Sequence, residues 1–430
     1  MSPSGARQKV AYAGEVSTPQ NEAGAASGGR IGRLASLTKY IPHASIAHAG
    51  GQYAWAHYLA LAADWRIRAI APLNEPNRAA QEAAGATPPS RLVRGRGFFG
   101  DGRMKLIGDL ESAWSGSAIP WFIRALARRP TAALAAELEA ADVIEFQWSE
   151  MMALAPILRD RFPRTPFVGI AHDVITQRWE RAAEKAPDPA RRLVYRVAAA
   201  RSRARERRSF AALDLLIAFS DKDAALAAEL APGLRVEVVH PGLGPLQPVV
   251  RAEDPEHPAV LFTGALNRPD NSRAVEWFLD EIWPQVRREV PAARFVIAGA
   301  NPPASLVRAV DRADGAALTG FVDSLEPYYA QASVFVAPLL TGAGVKFKTL
   351  DAMLRGAPVV STSVGAEGIE APELFQEIVD DADGFARAVI RTLRDPDRDR
   401  AARAAAWTES VYGVSAFRER LTQVYRDLRG

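Results

Sequence analysis

The sequence predicts an α/β protein made of two doubly wound domains, and three observations support this. From about residue 34 onward, short β-branched or apolar runs alternate with longer stretches of helical periodicity, the pattern of a parallel sheet covered by helices. The chain has 430 residues, more than a single core of about 100 to 200 residues accommodates. Near the middle, Pro241, Gly242, Gly244, Pro245 and Pro248 interrupt the alternation without periodicity of their own, as a connection between domains does.

Residues 1–33 are rich in Gly, Ala, Ser and polar side chains. They offer too little apolar surface to offset the entropy of ordering and are read as a flexible leader outside the fold. They also lack the apolar core of a secretory signal, and no run of about 18 apolar residues follows, so the expectation is a soluble cytoplasmic protein. The first domain, 34–245, carries strand candidates at 34–41, 66–71, 143–147, 167–172, 215–219 and 236–240, with helices between them. The second, 246–410, carries strands at 260–263, 294–298, 317–319, 334–337 and 358–361, with helices at 272–290, 305–312, 325–330 and 348–355. The final segment, 411–430, is read as a C-terminal helix. Phe417, Leu421, Val424, Tyr425 and Leu428 recur there at helical spacing, so one face must be buried against another element.

An apolar fraction of 48% and a charged fraction of 24% are those of an ordinary globular protein. The 53 basic and 50 acidic residues leave a net charge of +3, which gives no overall electrostatic case for nucleic acid as a partner. The absence of cysteine removes disulfides, thiolate metal sites and thiol nucleophiles. No His/Asp cluster has the spacing of a catalytic metal site, so no metal or other cofactor is expected.

The most informative stretch is TGAGVKFKTLDAMLRGAPVVSTSVGAEGIE, residues 341–370. Gly342 and Gly344 follow a strand and lead into a helix near Lys348, the order of strand, glycine turn and helix that binds phosphate. Amides at that helix start, with the positive end of the helix dipole behind them, can hold an anion. Lys346 and Lys348 would add charge for a diphosphate. Asp351 lies one turn on, placed for a ribose hydroxyl or simply for the helix dipole. A bare glycine-lysine turn is more often only a turn with solvated lysines.

This segment resembles the donor-binding region of the GT4-type (group 1) retaining glycosyltransferases of GT-B fold. The shared pattern runs through Gly342 to Lys348, Leu350 to Met353 and Gly356 to Val360, and continues in FTGALNRPDNSRAVEWFLDEIWP, FVIAGANPP, LTGFVDSLEPYYAQASVFVAPL and TSVGAEGIE. It covers residues 258–370 specifically and the first half loosely. The resemblance implies two Rossmann-like domains facing a cleft, the C-terminal helix crossing back to the first, and a nucleoside diphosphate sugar as co-substrate in the second. Two positions depart from the pattern. Of the family's usual pair of glutamates, the first falls on Ala343 and the second is Asp351, so the backbone of Gly342, Ala343 and Gly344 is expected to contact the donor instead. The basic pair after the strand's glycine is also altered: Gly264 is followed by Ala265, Leu266, Asn267 and Arg268, and Asn271 stands near the usual lysine. Phosphate charge would then rest on Lys346 and Lys348, with Arg268 as a helper.

By the same resemblance, the backbone of Phe321 and Val322, after Gly320, meets the edge of the nucleotide base. Gly50 and Gly51, in the run from His48 to Gln52, lie beside the donor phosphates and acceptor. His172, at a strand's carboxyl end where open α/β sheets place ligands, hydrogen-bonds the transferred sugar. Without the resemblance, a lone histidine or a Gly-Gly turn reads as structural.

The implied function is transfer of a hexose-type sugar, with retention, to a saccharide, lipid-linked or small-molecule acceptor bound by the first domain. The alternatives are a non-catalytic nucleotide-sugar-binding subunit and a sugar-nucleotide epimerase. The run RRLVYRVAAARSRARERR, residues 191–208, is either a solvated helix face, which its weak apolar moment favours, or a peripheral contact with anionic membrane.

Overall fold

The computed structural model describes residues 31–44, 46, 49–82, 88–94, 119, 121–184, 186, 188–243, 252, 256–342 and 344–428. The proposed leader up to residue 30, the centre of the inter-domain connection, His48 and Ala343 lie outside them. The chain divides into two compact units, one of residues 1–242 with 417–430, the other of residues 243–416.

Among the described residues, the first unit holds seven parallel strands: β1 (Gly32–Leu37), β2 (Trp65–Pro72), β3 (Ser90–Val93), β4 (Val143–Gln147), β5 (Phe167–Ala171), β6 (Leu215–Ala218) and β7 (Arg235–Val238). Their order is β3-β2-β1-β4-β5-β6-β7. Every residue of β4, β5 and β6 is buried, because helices cover both faces of a parallel sheet. These are the strands that continuous apolar runs reveal best. Two details differ from the sequence reading. β1 begins at Gly32 and ends at Leu37 rather than spanning 34–41; just past it, the Thr38 amide still donates to the Ile70 carbonyl of β2 at 2.9 Å while its hydroxyl turns to the Tyr40 carbonyl. β3 is a partly exposed edge strand of four residues, too short and too polar to show a period.

The second unit repeats the scheme with β8 (Ala259–Thr263), β9 (Arg294–Ala298), β10 (Ala316–Gly320), β11 (Ala332–Ala337), β12 (Val359–Ser361) and β13 (Glu377–Ile378), in the order β10-β9-β8-β11-β12-β13. The expected helix at 272–290 begins earlier, at Pro269, and runs to Glu289 through a π-helical turn at Phe278–Ile282. Pro284, which has no amide to donate, stands two residues past this turn. β13 has two residues and no signal in the sequence.

Both sheets follow the doubly wound order in which the chain leaves the first strand in one direction and later returns to its other side. The crevice lies between β1 and β4 in the first unit and between β8 and β11 in the second, where ligands bind in such sheets. The C-terminal helix (Val414–Asp427) returns to the first unit, as the resemblance implied. Its Phe417 ring lies 5.7 Å from that of Tyr53, and its Tyr425 ring 5.8 Å from His57.

Candidate functional site

At the second unit's crevice, two helices begin side by side. Pro269–Trp277 follows β8 and Phe347–Leu354 follows β11. Several helices are capped by a side chain at their start, among them those beginning after Asp188, Ser220, Asp381 and Asp397. Here the N-cap positions are Arg268 and Lys346, and neither side chain caps. Cations stand where carboxylates and hydroxyls belong, so leading amides and positive dipole ends point toward a space suited to an anion. A hydrogen bond from Thr341 Oγ1 to Asp270 Oδ1, 2.6 Å, ties the two loops together.

Lys348 occupies the centre. Its Nζ donates to Asn271 Oδ1 at 2.5 Å and sits 4.4 Å from the centroid of the Phe262 ring. Gly264 makes this approach possible: a Cβ there would lie 2.7 Å from Lys348 Nζ and 2.9 Å from Asn271 Nδ2. Asn271 in turn donates from Nδ2 to the Ala265 carbonyl at 2.8 Å. Burial, and then the positive charges of Arg268 and Lys346, pull the Lys348 ammonium down to a pKa of about 7, against the opposing pull of Asp270. A lysine that has lost water and gained cationic neighbours is short of negative charge.

Lys346 is arranged differently. It donates to the Gly344 carbonyl at 2.5 Å and forms a largely buried ion pair with Glu367 at 3.4 Å. Gly342 and Gly344 hold positive φ of 133° and 75° in this loop. Asp351, one turn into the helix, is engaged by Arg355 and by the Tyr329 hydroxyl, the latter at 3.3 Å. Burial raises its pKa, while the Arg355 charge and hydrogen bonds lower it. Arg355 also pairs with Glu326 at 2.8 Å. Asp351 is therefore part of an internal network as well as a candidate ribose contact. Phe321 and Val322 follow β10, the sheet's edge strand, and Phe321 is 62% exposed. The structure thus brings Gly264, Arg268, Gly344, Lys346 and Lys348 to one crevice and leaves Phe321 and Val322 at the edge of the same sheet.

In the first unit, Gly50 lies in the first turn of the Ala49–Leu61 helix beside buried Gly51. His172 directly follows β5 and stacks on Trp148, with centroids 4.2 Å apart and planes at 13°. A Cβ on Gly50 would lie 2.4 Å from Trp148 Cζ3 and 3.2 Å from His172 Nδ1, so the glycine lets the helix start close against this pair. Trp148 holds a positive φ of 86°, rare for a bulky residue, and donates from Nε1 to Thr38 Oγ1 at 3.2 Å. Behind it, Glu145 is fully buried in β4. It accepts hydrogen bonds from Ser36 Oγ at 2.7 Å, Gln147 Nε2 at 3.0 Å and the Tyr425 hydroxyl, and lies 2.7 Å from His57 Nε2. Burial would raise its pKa, but His57 and the hydrogen bonds bring it down to about 2.

Sequence reasoning missed Trp148, Glu145 and Glu367. A tryptophan directly after a buried strand, a glutamate inside the apolar run VIEFQ and a glutamate between Gly365 and Gly368 were the available signals. Among the described residues, no group of three His, Asp or Glu side chains converges as a metal site would.

Residues 257–395 match the family described as Glycosyl transferases group 1. The second unit is a group 1 glycosyltransferase domain. A protein of the cps region of Klebsiella pneumoniae, described as an uncharacterized 44.6 kDa protein, is 38% identical over 116 residues. The match covers 25% of this chain and 30% of that protein, so the chain is similar to less than a third of its curated relative's length. Among solved structures, sucrose-phosphate synthase from Thermosynechococcus elongatus superposes with a TM-score of 0.66 at 18% identity, over 92% of this chain and 99% of that one. Anabaena HepE, solved in complex with UDP-glucose, gives 0.62 at 12% identity over 92% and 100%. An α,α-trehalose-phosphate synthase (UDP-forming) from Burkholderia xenovorans gives 0.62 at 16% over 93% and 100%. At these identities the likeness is one of fold: both units together are of the GT-B type. In the group 1 domain, the matched residues include Gly264, Lys346, Lys348 and Asp351.

Proposed function

We propose that this chain transfers a sugar from a nucleoside diphosphate sugar to a saccharide, lipid-linked or small-molecule acceptor, with retention at the anomeric carbon. The observation that carries the reading is the convergence of two helix starts, each with a cation at its N-cap, on the desolvated ammonium of Lys348. As the bond from the anomeric carbon to the diphosphate oxygen breaks, negative charge grows on the departing diphosphate. Preformed donors aimed at that position act where the charge develops. Lys348 is the principal cation. Lys346 shares its charge with Glu367 and orders the glycine loop through Gly344, and Arg268 assists from the neighbouring helix start.

In this scheme protein groups, rather than a metal ion, take up the diphosphate charge. His172, held by its stack on Trp148, hydrogen-bonds the transferred sugar. Phe321 and Val322 meet the base, and Asp351 meets the ribose from within its network with Arg355 and Tyr329. Neighbours of like fold solved with UDP and with UDP-glucose support a nucleotide-sugar donor. The cps-region relative fits a role in polysaccharide synthesis. The reading places the enzyme in the cytoplasm, with peripheral contact to an anionic membrane.

The test is a donor panel incubated with purified protein and candidate acceptors. Acceptor-dependent release of nucleoside diphosphate, lost in Lys348→Ala, is the expected result. Tight donor binding without turnover on any acceptor would instead make the chain a binding subunit, the reading that Ala343 in place of an acidic residue favours.

A further inference from the structure

The Pro189–Phe210 helix of the first unit has two faces that differ sharply. Its inward stripe, Ala199, Ser202, Glu206 and Ser209, is buried. On the opposite side, Leu193 is 64% exposed, Val194 63% and Val197 42%. Ala200 and Ala204, also exposed, continue the line 193, 197, 200, 204 at helical spacing. An apolar stripe therefore faces water along three turns.

Arginines border this stripe on both sides. At 100° per residue, Arg192, Arg196 and Arg207 fall along one margin and Arg201 and Arg208 along the other, all exposed. The helix has eight arginines and one acidic residue, Glu206. That glutamate faces inward and accepts hydrogen bonds from the Ile175 and Thr176 amides. Arg191 and Arg203 are paired with Asp188 and Glu180, but no carboxylate of the helix lies on its outer face. Burial and the charges of Arg201 and of Arg124, from the Trp121–Arg128 helix, depress the Arg205 guanidinium, so positive charge is already crowded here.

We propose that this outer face docks on an anionic lipid bilayer, with Leu193, Val194 and Val197 entering the headgroup boundary and the flanking arginines meeting lipid phosphates. A nucleic acid or an acidic protein would engage the arginines and have no use for the exposed aliphatics. A second copy of the same face would bring like charges together. A bilayer interface takes both kinds of group, because arginine stems lie along apolar surface while their heads reach outward to phosphate. The geometry deepens the reading of peripheral membrane contact and is independent of the donor site.

The experiment is co-sedimentation of the full chain with vesicles of phosphatidylcholine, alone or mixed with phosphatidylglycerol. Binding should require phosphatidylglycerol, weaken at raised salt, and fall by more than about fivefold for each arginine reversed in Arg192→Glu and Arg196→Glu. The double variant Leu193→Ser with Val197→Ser, which keeps every charge, should also lose binding. Lys348→Ala should bind vesicles like the parent chain, which separates failure here from failure of the donor site. Unaltered binding in the serine variant, no binding of the parent chain to anionic vesicles, or a preference for an oligonucleotide over vesicles would overturn the proposal. Far-ultraviolet circular dichroism confirms that each variant is folded.

Discussion

Donor binding should carry a proton with it. Lys348 has a pKa of about 7, against an ordinary lysine value of about 10.4. At pH 8 roughly nine-tenths of it is neutral, at pH 7 about half, and at pH 6 about one-tenth. A bound diphosphate would restore the charged form, because an adjacent anion favours it. A nucleoside diphosphate sugar has no phosphate group of its own titrating in this range. Proton uptake per donor bound should therefore be about 0.9 at pH 8, about 0.5 at pH 7 and about 0.1 at pH 6. The sign follows directly: because the complex holds more protons than the free protein above pH 7, affinity must fall as pH rises, approaching tenfold per unit. Isothermal titration in buffers of different ionisation enthalpy reads the uptake as a slope. A slope near zero at pH 8, or the same slope in Lys348→Met, would refute the assignment of this lysine to the diphosphate.

Two further perturbations probe the first unit. Tyr425→Phe removes a hydroxyl donor from the buried Glu145 carboxylate and should cost about 1–3 kcal/mol in thermal or urea unfolding. Because Glu145 is held at about 2, the stability it contributes is fully present above its ordinary range near 4.5 and is lost as pH falls toward 2. The difference between the parent and the variant should therefore shrink in that acid window. Gly50→Ala places a methyl group 2.4 Å from Trp148 Cζ3, which must shift the Trp148–His172 stack. Sugar transfer should fall at least tenfold, and near-ultraviolet circular dichroism should report the moved tryptophan.

The sequence carried most of the fold because parallel strands covered on both faces must be apolar along their whole length. The runs at 143–147 and 294–298 are strands with those bounds, and the others are displaced at one or both ends, most of all β1, which ends at Leu37 rather than at residue 41. The edge strands β3 and β13 were hidden, since an edge needs neither length nor continuous burial. At the donor crevice, the order of glycine turn, two lysines and helix was visible as a pattern, and local chemistry gave it meaning. Which lysine does what was not visible. Lys346 and Lys348 are two residues apart, yet one is matched to Glu367 and the other to Asn271.

The sequence by itself determined the two doubly wound units, the glycine-lysine turn before a helix and the apolar face of the last helix. Each is written in residues near one another along the chain. Only tertiary structure decided that the C-terminal helix delivers Tyr425 to Glu145, that Trp148 stacks on His172, and that the outer face of the arginine-rich helix is apolar at its centre. Those facts join positions separated by tens to hundreds of residues, or depend on which side of a helix the rest of the fold covers. Local pattern cannot encode them, because burial is a property of the packed whole.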